Sequence, residues 1–173
     1  RGLSTENKFL SFGDETYFQD FSLEFRKKWN AKWNTIFAYH NLIYNKSVIE
    51  GGLYDDIHAQ IALANILYRF TPKKSIRMEL QHLSSEQDKG NWAAAVMEMG
   101  FAPSWTFFIS DLYNYDVTDV HYPTIGGSYT KGGARFGLNY GRQRAGLFCV
   151  GGICRFVPAA TGITATLSVT FNN

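Results

Sequence analysis

The sequence is poor in cysteine and proline and contains no long apolar run. Its 173 residues include 2 Cys and 4 Pro beside 16 Gly. No stretch approaches the roughly 18 consecutive apolar residues that a transmembrane helix needs, which excludes such a helix. A transmembrane β-strand is not excluded, because only every second residue of it is apolar. Few prolines with many glycines indicate strands joined by tight turns.

An excess of charge of one sign is also lacking. The 17 Lys and Arg residues oppose 15 Asp and Glu, which leaves a net charge of +2 without any basic patch. We therefore predict that the protein has no nucleic-acid partner. The sequence shows no signal peptide and opens on Arg1 within polar, loop-like sequence. We expect that processing or fragmentation removed what came before it.

Recognisable catalytic and metal-binding motifs are missing as well. Neither G-x-S-x-G nor H-x-x-x-H occurs, so we predict no metal, no cofactor and no catalytic activity. The alternative is a hydrolase with its site on an outer loop, where His40 and His58 flank residues 45–56 and Asp55 with Asp56 would activate water. An Asp-Asp pair in a polar loop is more commonly a solvated turn.

What the sequence does contain is strict alternation, clearest near its end. Apolar residues face small hydroxyl residues there: Ile163, Ala165, Leu167, Val169 and Phe171 alternate with Thr164, Thr166, Ser168 and Thr170. A period of two predicts a strand with one apolar and one polar face. Such a strand is typical of an outer-membrane barrel, with lipid on one side and a wet lumen on the other.

Eight further segments resemble this strand, and their connections are alternately short and long. The nine predicted strands cover about 17–29, 32–44, 57–70, 75–83, 91–100, 105–113, 122–130, 134–144 and 163–171. Outer-membrane barrels combine short periplasmic turns with longer outer loops. We predict an all-β fold, an antiparallel up-and-down transmembrane β-barrel. Its outward-facing loops are residues 45–56, 84–91 and 113–121 and the hairpin that carries Cys149 and Cys154, and its short turns face the periplasm.

Strand parity bears on the extent of the barrel. The last strand of such barrels runs toward the periplasm, which makes the first predicted strand run the same way and places residues 1–14 in an outer loop. Bacterial barrels have an even number of strands. We expect residues 1–173 to be the C-terminal portion of one larger barrel domain, completed by an odd number of missing N-terminal strands.

Aromatic residues cluster at the predicted strand ends, as in the interfacial girdles of membrane barrels. The predicted lower girdle is Trp29, Trp33, Phe70, Phe101, Trp105 and Phe171, and the upper one is Tyr44, Trp92, Tyr113 and Tyr122. The alternative is that these residues are core aromatics of a soluble barrel.

The two cysteines flank a predicted hairpin. A two-residue turn at Gly151-Gly152 places Cys149 opposite Cys154, in the register that accepts a cross-strand disulfide. Two free thiols or half of a metal site are the alternatives, and the second lacks a nearby His or further Cys. A disulfide belongs to an oxidising compartment.

Alternation also assigns charged and polar residues to the lumen. They are Asp20, Glu24, Arg26, Arg77, Glu79, Arg135 and Asn139. Both signs of charge are represented about equally, so these residues either pair with one another across the lumen or line a pore without strong ion selectivity. Glu98 lies near Ala94 and Val96, which predicts a register break or a position at the membrane interface.

The segment from Gly141 to Phe171 resembles the C-terminal signature of an uncharacterised outer-membrane barrel family of the Bacteroidota. The similarity consists of Arg144, Gly146, the Cys149–Cys154 hairpin with Gly151 and Gly152, Arg155, Pro158 and the final alternating strand. The resemblance covers about a quarter of the chain and implies a fold and a bacterial outer-membrane location, without an activity.

These observations predict an integral outer-membrane β-barrel without catalytic activity. We expect a scaffold or partner subunit of an envelope complex for protein export, assembly or nutrient uptake, in contact with outer-membrane lipid and other envelope proteins. Its docking surface would be the outer hairpin with Phe148, Ile153, Phe156 and Val157, unless that hairpin folds over its own barrel. The alternatives are a porin-like channel for small solutes and a soluble ligand-binding barrel of the lipocalin or avidin kind.

Overall fold

The computed structural model describes residues 3–4, 11–12, 18–47, 56–85, 90–150 and 153–170, and the side chains of residues 3–4, 11–12, 146–150 and 153–157 are outside the description. The strands, in chain order, are β1 (Leu3–Ser4), β2 (Ser11–Phe12), β3 (Phe18–Lys28), β4 (Trp33–Asn45), β5 (Asp56–Thr71), β6 (Lys74–Ser85), β7 (Trp92–Phe101), β8 (Trp105–Asn114), β9 (Val120–His121), β10 (Thr124–Lys131), β11 (Ala134–Gln143), β12 (Gly146–Val150), β13 (Ile153–Val157) and β14 (Ala160–Val169). No helix among the described residues has the length and apolarity needed to cross a membrane.

One antiparallel sheet organises the described chain. Its strand order is β3-β4-β5-β6-β7-β8-β10-β11-β14, and the short β9 pairs only with β8. The nine strands of this order match the nine predicted from alternation, and the up-and-down antiparallel arrangement is confirmed. The sheet is not closed, since β3 and β14 form its two edges among the described residues. A complete barrel therefore stays a prediction.

Two small hairpins lie outside the main sheet. Strands β1 and β2 pair with each other, so the segment predicted as a loop over residues 1–14 contains a short ladder. Strands β12 and β13 also pair only with each other, whereas β14 pairs with β11. The cysteine hairpin is therefore an excursion between two neighbouring strands of the sheet.

Side chains close the short turns locally. In the turn between β3 and β4, Asn30 Oδ1 accepts hydrogen bonds from the backbone N–H groups of Lys32 and Trp33, at 2.8 and 2.9 Å. Thr71 Oγ1 plays the same part between β5 and β6, at 3.2 Å from Lys73 N and 3.1 Å from Lys74 N. Short polar side chains favour such turns because they replace a missing ladder partner.

The longer connection after β8 is also held by one side chain. Asn114 Oδ1 accepts from the backbone N–H groups of Val117 and Thr118, at 3.0 and 2.8 Å. Asn114 has no exposed surface. The residue that is most buried in the described chain is therefore polar, and it stabilises the start of a connection.

The pairing register gives the sheet two chemically different faces. Residues that lie opposite one another on neighbouring strands share a face, so the face can be followed across the whole sheet. The apolar face contains, for example, Met78, Met97 and Ile109, and the polar face contains Glu79, Val96 and Ser110 directly beside them. This register determines which face of the sheet each strand residue discussed below occupies.

Candidate functional site

The apolar face is exposed over all nine strands. Its large exposed residues include Ile163 (75%) and Leu167 (69%) on β14. Others, from β3 to β11, are Phe21, Leu23, Phe25, Phe37, Tyr39, Met78, Leu80, Met97, Met99, Phe107, Ile109, Ile125, Phe136, Leu138 and Tyr140. An apolar surface of this extent is far larger than the patches that soluble monomers expose.

Burial is concentrated on the opposite face. The buried residues there are Ala59, Trp92, Phe108, Ser85, Asn114, Thr124, Asn139 and Gln143, and most of them are polar. Among the buried residues, Thr35 alone lies on the apolar face, where the Trp29 indole Nε1–H donates to its hydroxyl at 2.9 Å. The sheet thus buries polar groups and exposes apolar ones, the reverse of a water-soluble protein.

Aromatic residues collect on the apolar face at the end of the short turns. The rings of Trp33 and Tyr68 are 4.6 Å apart, and Phe70 meets Tyr68 edge to face at 4.8 Å. Trp105 stacks on Phe107 at 5.8 Å and contacts Tyr129 at 4.7 Å. The predicted lower cluster is therefore present at the strand ends, except for Phe171, which lies outside the described residues.

The predicted upper girdle is partly wrong. Trp92 is 6% exposed and shares the polar face with Glu98, so it points away from the face on which a girdle would lie. The guanidinium carbon of Arg144 lies 4.4 Å from the Trp92 ring centroid, and Tyr122 lies 6.2 Å from the same ring. Tyr113 does lie on the apolar face, where its ring stacks on His121 at 3.8 Å.

The residues predicted to face a lumen share one face of the sheet. The register connects Glu24 and Arg26 on β3 through β4 and β5 to Glu79 and Arg77 on β6. It continues through β7, β8 and β10 to β11, so that the whole predicted set of Asp20, Glu24, Arg26, Arg77, Glu79, Arg135 and Asn139 lies on the polar face. That this face lines a lumen stays a prediction, because the sheet is open.

Arg77 is the centre of a charged cluster on the polar face. Its guanidinium lies 2.8 Å from Glu79 Oε2 and 3.5 Å from Glu98 Oε2. Asn65 Nδ2 donates to Glu79 Oε2 at 2.7 Å, and Gln81 Nε2 donates to Glu79 Oε1 at 2.6 Å. The cluster spans β5, β6 and β7 and pairs one guanidinium with two carboxylates, and the side chains of these ion pairs are 14–26% exposed.

The register break expected at Glu98 is wrong, whereas a position of Glu98 near a membrane interface stays a prediction. Glu98 pairs directly with Arg77 in an unbroken register between β6 and β7. Alternation along β7 did not reveal this, because Ala93, Ala94 and Ala95 are alike on both faces. The cross-strand arginine, rather than the pattern of β7 itself, decides on which side the carboxylate lies. A second pair on this face, Glu24 with Arg26, lies on the exposed edge strand.

Gly126 and Gly127 on β10 leave space on the two faces of the sheet, between β8 and β11. A Cβ at Gly126 would lie 2.7 Å from Leu138 O and 2.9 Å from Phe108 Cε1, so the Phe108 ring occupies the space above it on the polar face. On the apolar face, Phe107 Cδ1 would lie 2.8 Å from a Cβ at Gly127. Consecutive phenylalanines thus cover consecutive glycines on opposite faces of the sheet.

The histidines considered for hydrolysis do not come together. His40 pairs with Ile61 and lies on the polar face, whereas His58 pairs with Ile43 and lies on the apolar face. Asp55 lies outside the described residues. Within the described part of the chain, no group of three His, Cys, Asp or Glu residues is arranged to hold a metal ion.

An acid–histidine contact that sequence reasoning missed lies elsewhere. Asp111 Oδ2 is 2.6 Å from His121 Nδ1 at the long-connection end of the apolar face. Tyr113 donates to Asp119 at 2.7 Å, and His82 Nε2 is 2.7 Å from the Tyr115 hydroxyl. No spacing in the sequence signals this group, because β9 folds back onto β8 to bring His121 opposite Tyr113.

The cysteine hairpin has the predicted register. Cys149 pairs with Cys154, and Val150 pairs with Ile153. No disulfide is shown between the cysteines, since the side chains of residues 146–150 and 153–157 lie outside the described part. The predicted docking residues Phe148, Ile153, Phe156 and Val157 fall in the same segment, so their surface stays a prediction.

The comparisons with known proteins identify a family. A family model described as a family of unknown function, DUF6029, matches residues 2–171. The chain belongs to this family. Comparison with curated proteins and with solved structures gives no match.

Proposed function

We propose that the chain forms part of the wall of a transmembrane β-barrel in a bacterial outer membrane. The observation that carries this proposal is the reversed distribution of burial. Large apolar side chains are exposed on every strand of the sheet, whereas the buried residues on the other face are largely polar. A lipid environment covers the first face and leaves the second to a hydrated interior.

The energetics of exposure support a lipid-facing surface. Transfer of one large aliphatic or aromatic side chain out of water contributes about 1.5–3 kcal/mol. More than a dozen such residues on one face would therefore oppose solubility strongly. Strand lengths agree with this environment, since β7, β8, β11 and β14 each have 10 residues and a spanning strand needs about 9–11.

The proposed wall requires further strands. Among the described residues, no strand pairs with the outer sides of β3 and β14, and an open edge in hydrocarbon costs several kcal/mol per unsatisfied group. Strands supplied by the rest of a longer chain would pair with these edges and complete the barrel. The nine strands described here then correspond to one continuous part of its wall.

Within this barrel we assign the chain a scaffold or partner-subunit role without catalytic activity. The charges at the centre of the polar face are paired with each other, as in a structural network, rather than arranged around a substrate. The hairpin β12–β13 leaves the sheet and offers a separate contact surface for another envelope protein. A disulfide between Cys149 and Cys154 would make that surface rigid.

A pair of adjacent substitutions on β7 tests the membrane location. Met97 lies on the exposed apolar face, and Val96 lies beside it on the less exposed polar face. If the apolar face meets lipid, Met97→Arg destabilises the inserted protein by about 2–4 kcal/mol, and Val96→Arg has a smaller effect. The measurement is urea unfolding of the protein in lipid vesicles, followed by tryptophan fluorescence.

A water-soluble sheet would give the opposite order. An arginine at the exposed position 97 would then be tolerated, and the arginine at position 96 would be the harmful change. Recovery of the chain in detergent-free buffer as a stable monomer would count against the membrane location in the same way.

A porin-like channel is the second candidate. It is favoured by the partial exposure of the Arg77 cluster, whose side chains remain 14–26% accessible on the polar face. Conductance of the full-length protein in a planar bilayer separates the two functions. Steady single-channel currents would establish the channel function, whereas the absence of current at every voltage would favour the scaffold role.

A further inference from the structure

A shallow groove crosses the apolar face near the end of the long connections. Its volume is about 410 Å³, and its side walls include Ile109, Ile125 and Tyr140 from three neighbouring strands. Gly141 and Gly162 lie opposite each other at its upper end and contribute only backbone. The groove is thus a widened, largely apolar depression in a surface that is already exposed.

One cation lies at the upper end of this groove. Arg142 lines it, and its backbone N–H donates to the carbonyl of Pro123 at 2.9 Å. The guanidinium carbon lies 4.9 Å from the ring centroid of Tyr122. Stacking on an aromatic ring uses the flat face of a guanidinium and leaves its N–H edge available. Among the residues that the structure describes, no carboxylate pairs with Arg142.

We propose that this groove binds one membrane lipid with an anionic phosphate headgroup. The acyl chain packs against Ile109, Ile125 and Tyr140, and the phosphate accepts hydrogen bonds from the guanidinium of Arg142. Guanidinium groups suit phosphate because their N–H donors match its oxygen geometry. The inference rests on the proposed function, since it places this face of the sheet in a bilayer.

The composition of the groove favours a lipid over a free anion. A soluble phosphate would find a single guanidinium and otherwise apolar walls, which offer it no hydrogen bonds. A lipid uses both parts, because its chain covers the apolar walls while its headgroup remains at the level of Arg142. The groove volume also falls within the range of about 300–1,000 Å³ that is usual for small-molecule sites.

The test compares two lipids that differ only in charge. Native mass spectrometry of the full chain, released from mild detergent, measures the dissociation constant of the first phosphatidylglycerol bound and of the first phosphatidylcholine with the same acyl chains. We expect phosphatidylglycerol to bind about fivefold more tightly, which is the effect of one arginine near a membrane surface.

Two variants address the two parts of the site separately. Arg142→Gln should abolish the preference for phosphatidylglycerol and leave chain binding in place. Ile125→Trp should fill the groove and weaken the binding of both lipids. The matched controls are Arg26→Gln, which removes a charge from the polar face, and Leu167→Trp, which adds an indole to the apolar face outside the groove. Both controls should bind lipid like the unchanged protein.

The outcomes separate this inference from the proposed function. Bound lipid without a headgroup preference, a preference that survives Arg142→Gln, or lipid binding that is unchanged in Ile125→Trp would overturn the groove site and leave the barrel wall intact. A chain that is monodisperse without detergent and carries no lipid of either kind would overturn the barrel wall, and the groove site with it.

Discussion

Arg77 forms ion pairs with two carboxylates on neighbouring strands, and its removal takes this cation away from both. We predict that Arg77→Gln destabilises the folded protein by about 1–3 kcal/mol, since groups bonded to charged partners lose that much when one partner is deleted. Urea unfolding in lipid vesicles measures the change. Arg26→Gln, in the exposed pair with Glu24, is the matched control and should change stability little.

A partial rescue would show that electrostatics causes the effect. In the double variant Arg77→Gln with Glu98→Gln, one of the two carboxylates that faced Arg77 is removed as well. The double variant should therefore be more stable than the single one. If the loss in the double variant equalled the sum of the losses in Arg77→Gln and Glu98→Gln, the result would contradict a charge network. It would indicate that Arg77 acts only through packing.

Gly126 is predicted to be intolerant of any side chain. A Cβ there meets the backbone carbonyl oxygen of Leu138 at 2.7 Å, and backbone cannot move aside as a flexible side chain can. Gly126→Ala should therefore cost about 1–3 kcal/mol. Gly137→Ala is the control, because the nearest atom to its Cβ is 3.8 Å away on the same face. Equal losses in the two variants would contradict the close approach.

Residue positions could be predicted where alternation is strong and not where it is degenerate. On β14, hydroxyl residues alternate with large apolar ones, and the register places Thr164 beside Asn139 and Ile163 beside Tyr140 as expected. On β7 the three consecutive alanines carry no directional signal, so the face of Trp92 was misjudged and a register break was expected at Glu98. Only the pairing with β6 shows which residues of β7 lie on which face. This pairing cannot be predicted from the sequence of β7 alone.

Among the strands, the predicted segments agree with the structure to within a few residues because each strand is bounded by its own turn chemistry. Asn30 and Thr71 close their turns with side-chain oxygens, and Gly132 adopts a φ of 57° between β10 and β11. The fold-back of β9 onto β8 was missed, because two residues are too few to show any period.

The hairpin β12–β13 carries a prediction of its own. Its register brings Cys149 opposite Cys154, so we expect a disulfide when the protein is isolated under oxidising conditions. Alkylation and intact-mass analysis should then detect no free thiol before reduction. Cys149→Ser with Cys154→Ser should lower stability by about 2 kcal/mol, the chain-entropy value for so short a loop. Full alkylation without reductant would contradict the disulfide.

The hairpin also limits what could be known from sequence about docking. Its apolar composition is plain in the sequence, but a hairpin that stands outward and one that folds over a barrel mouth have the same composition. The backbone separates β12 and β13 from the main sheet. The backbone alone does not show which surface of the hairpin a partner would contact, because that contact depends on the side chains.

At the scale of the whole molecule, the open edges give the most direct prediction. If further strands pair with β3 and β14 in the membrane, the outward amides of both edges should exchange slowly in the native particle. Hydrogen exchange of protein extracted from its own membrane in mild detergent measures this. Amides of Asp20 and Leu167, which point away from β4 and β11, would contradict closure of the sheet if they exchanged as fast as those of a free edge.

The arrangement of the sheet has a consequence for how the protein folds. Each strand of the main sheet pairs with the strand that precedes or follows it, apart from the excursions at β9 and β12–β13. Contacts of this kind are local in sequence, and their loop-closure cost is low. The protein can therefore assemble one hairpin at a time, starting from turns such as those of Asn30 and Thr71. Within the described sheet, the slowest pairing is expected where β11 must reach β14 across the cysteine hairpin.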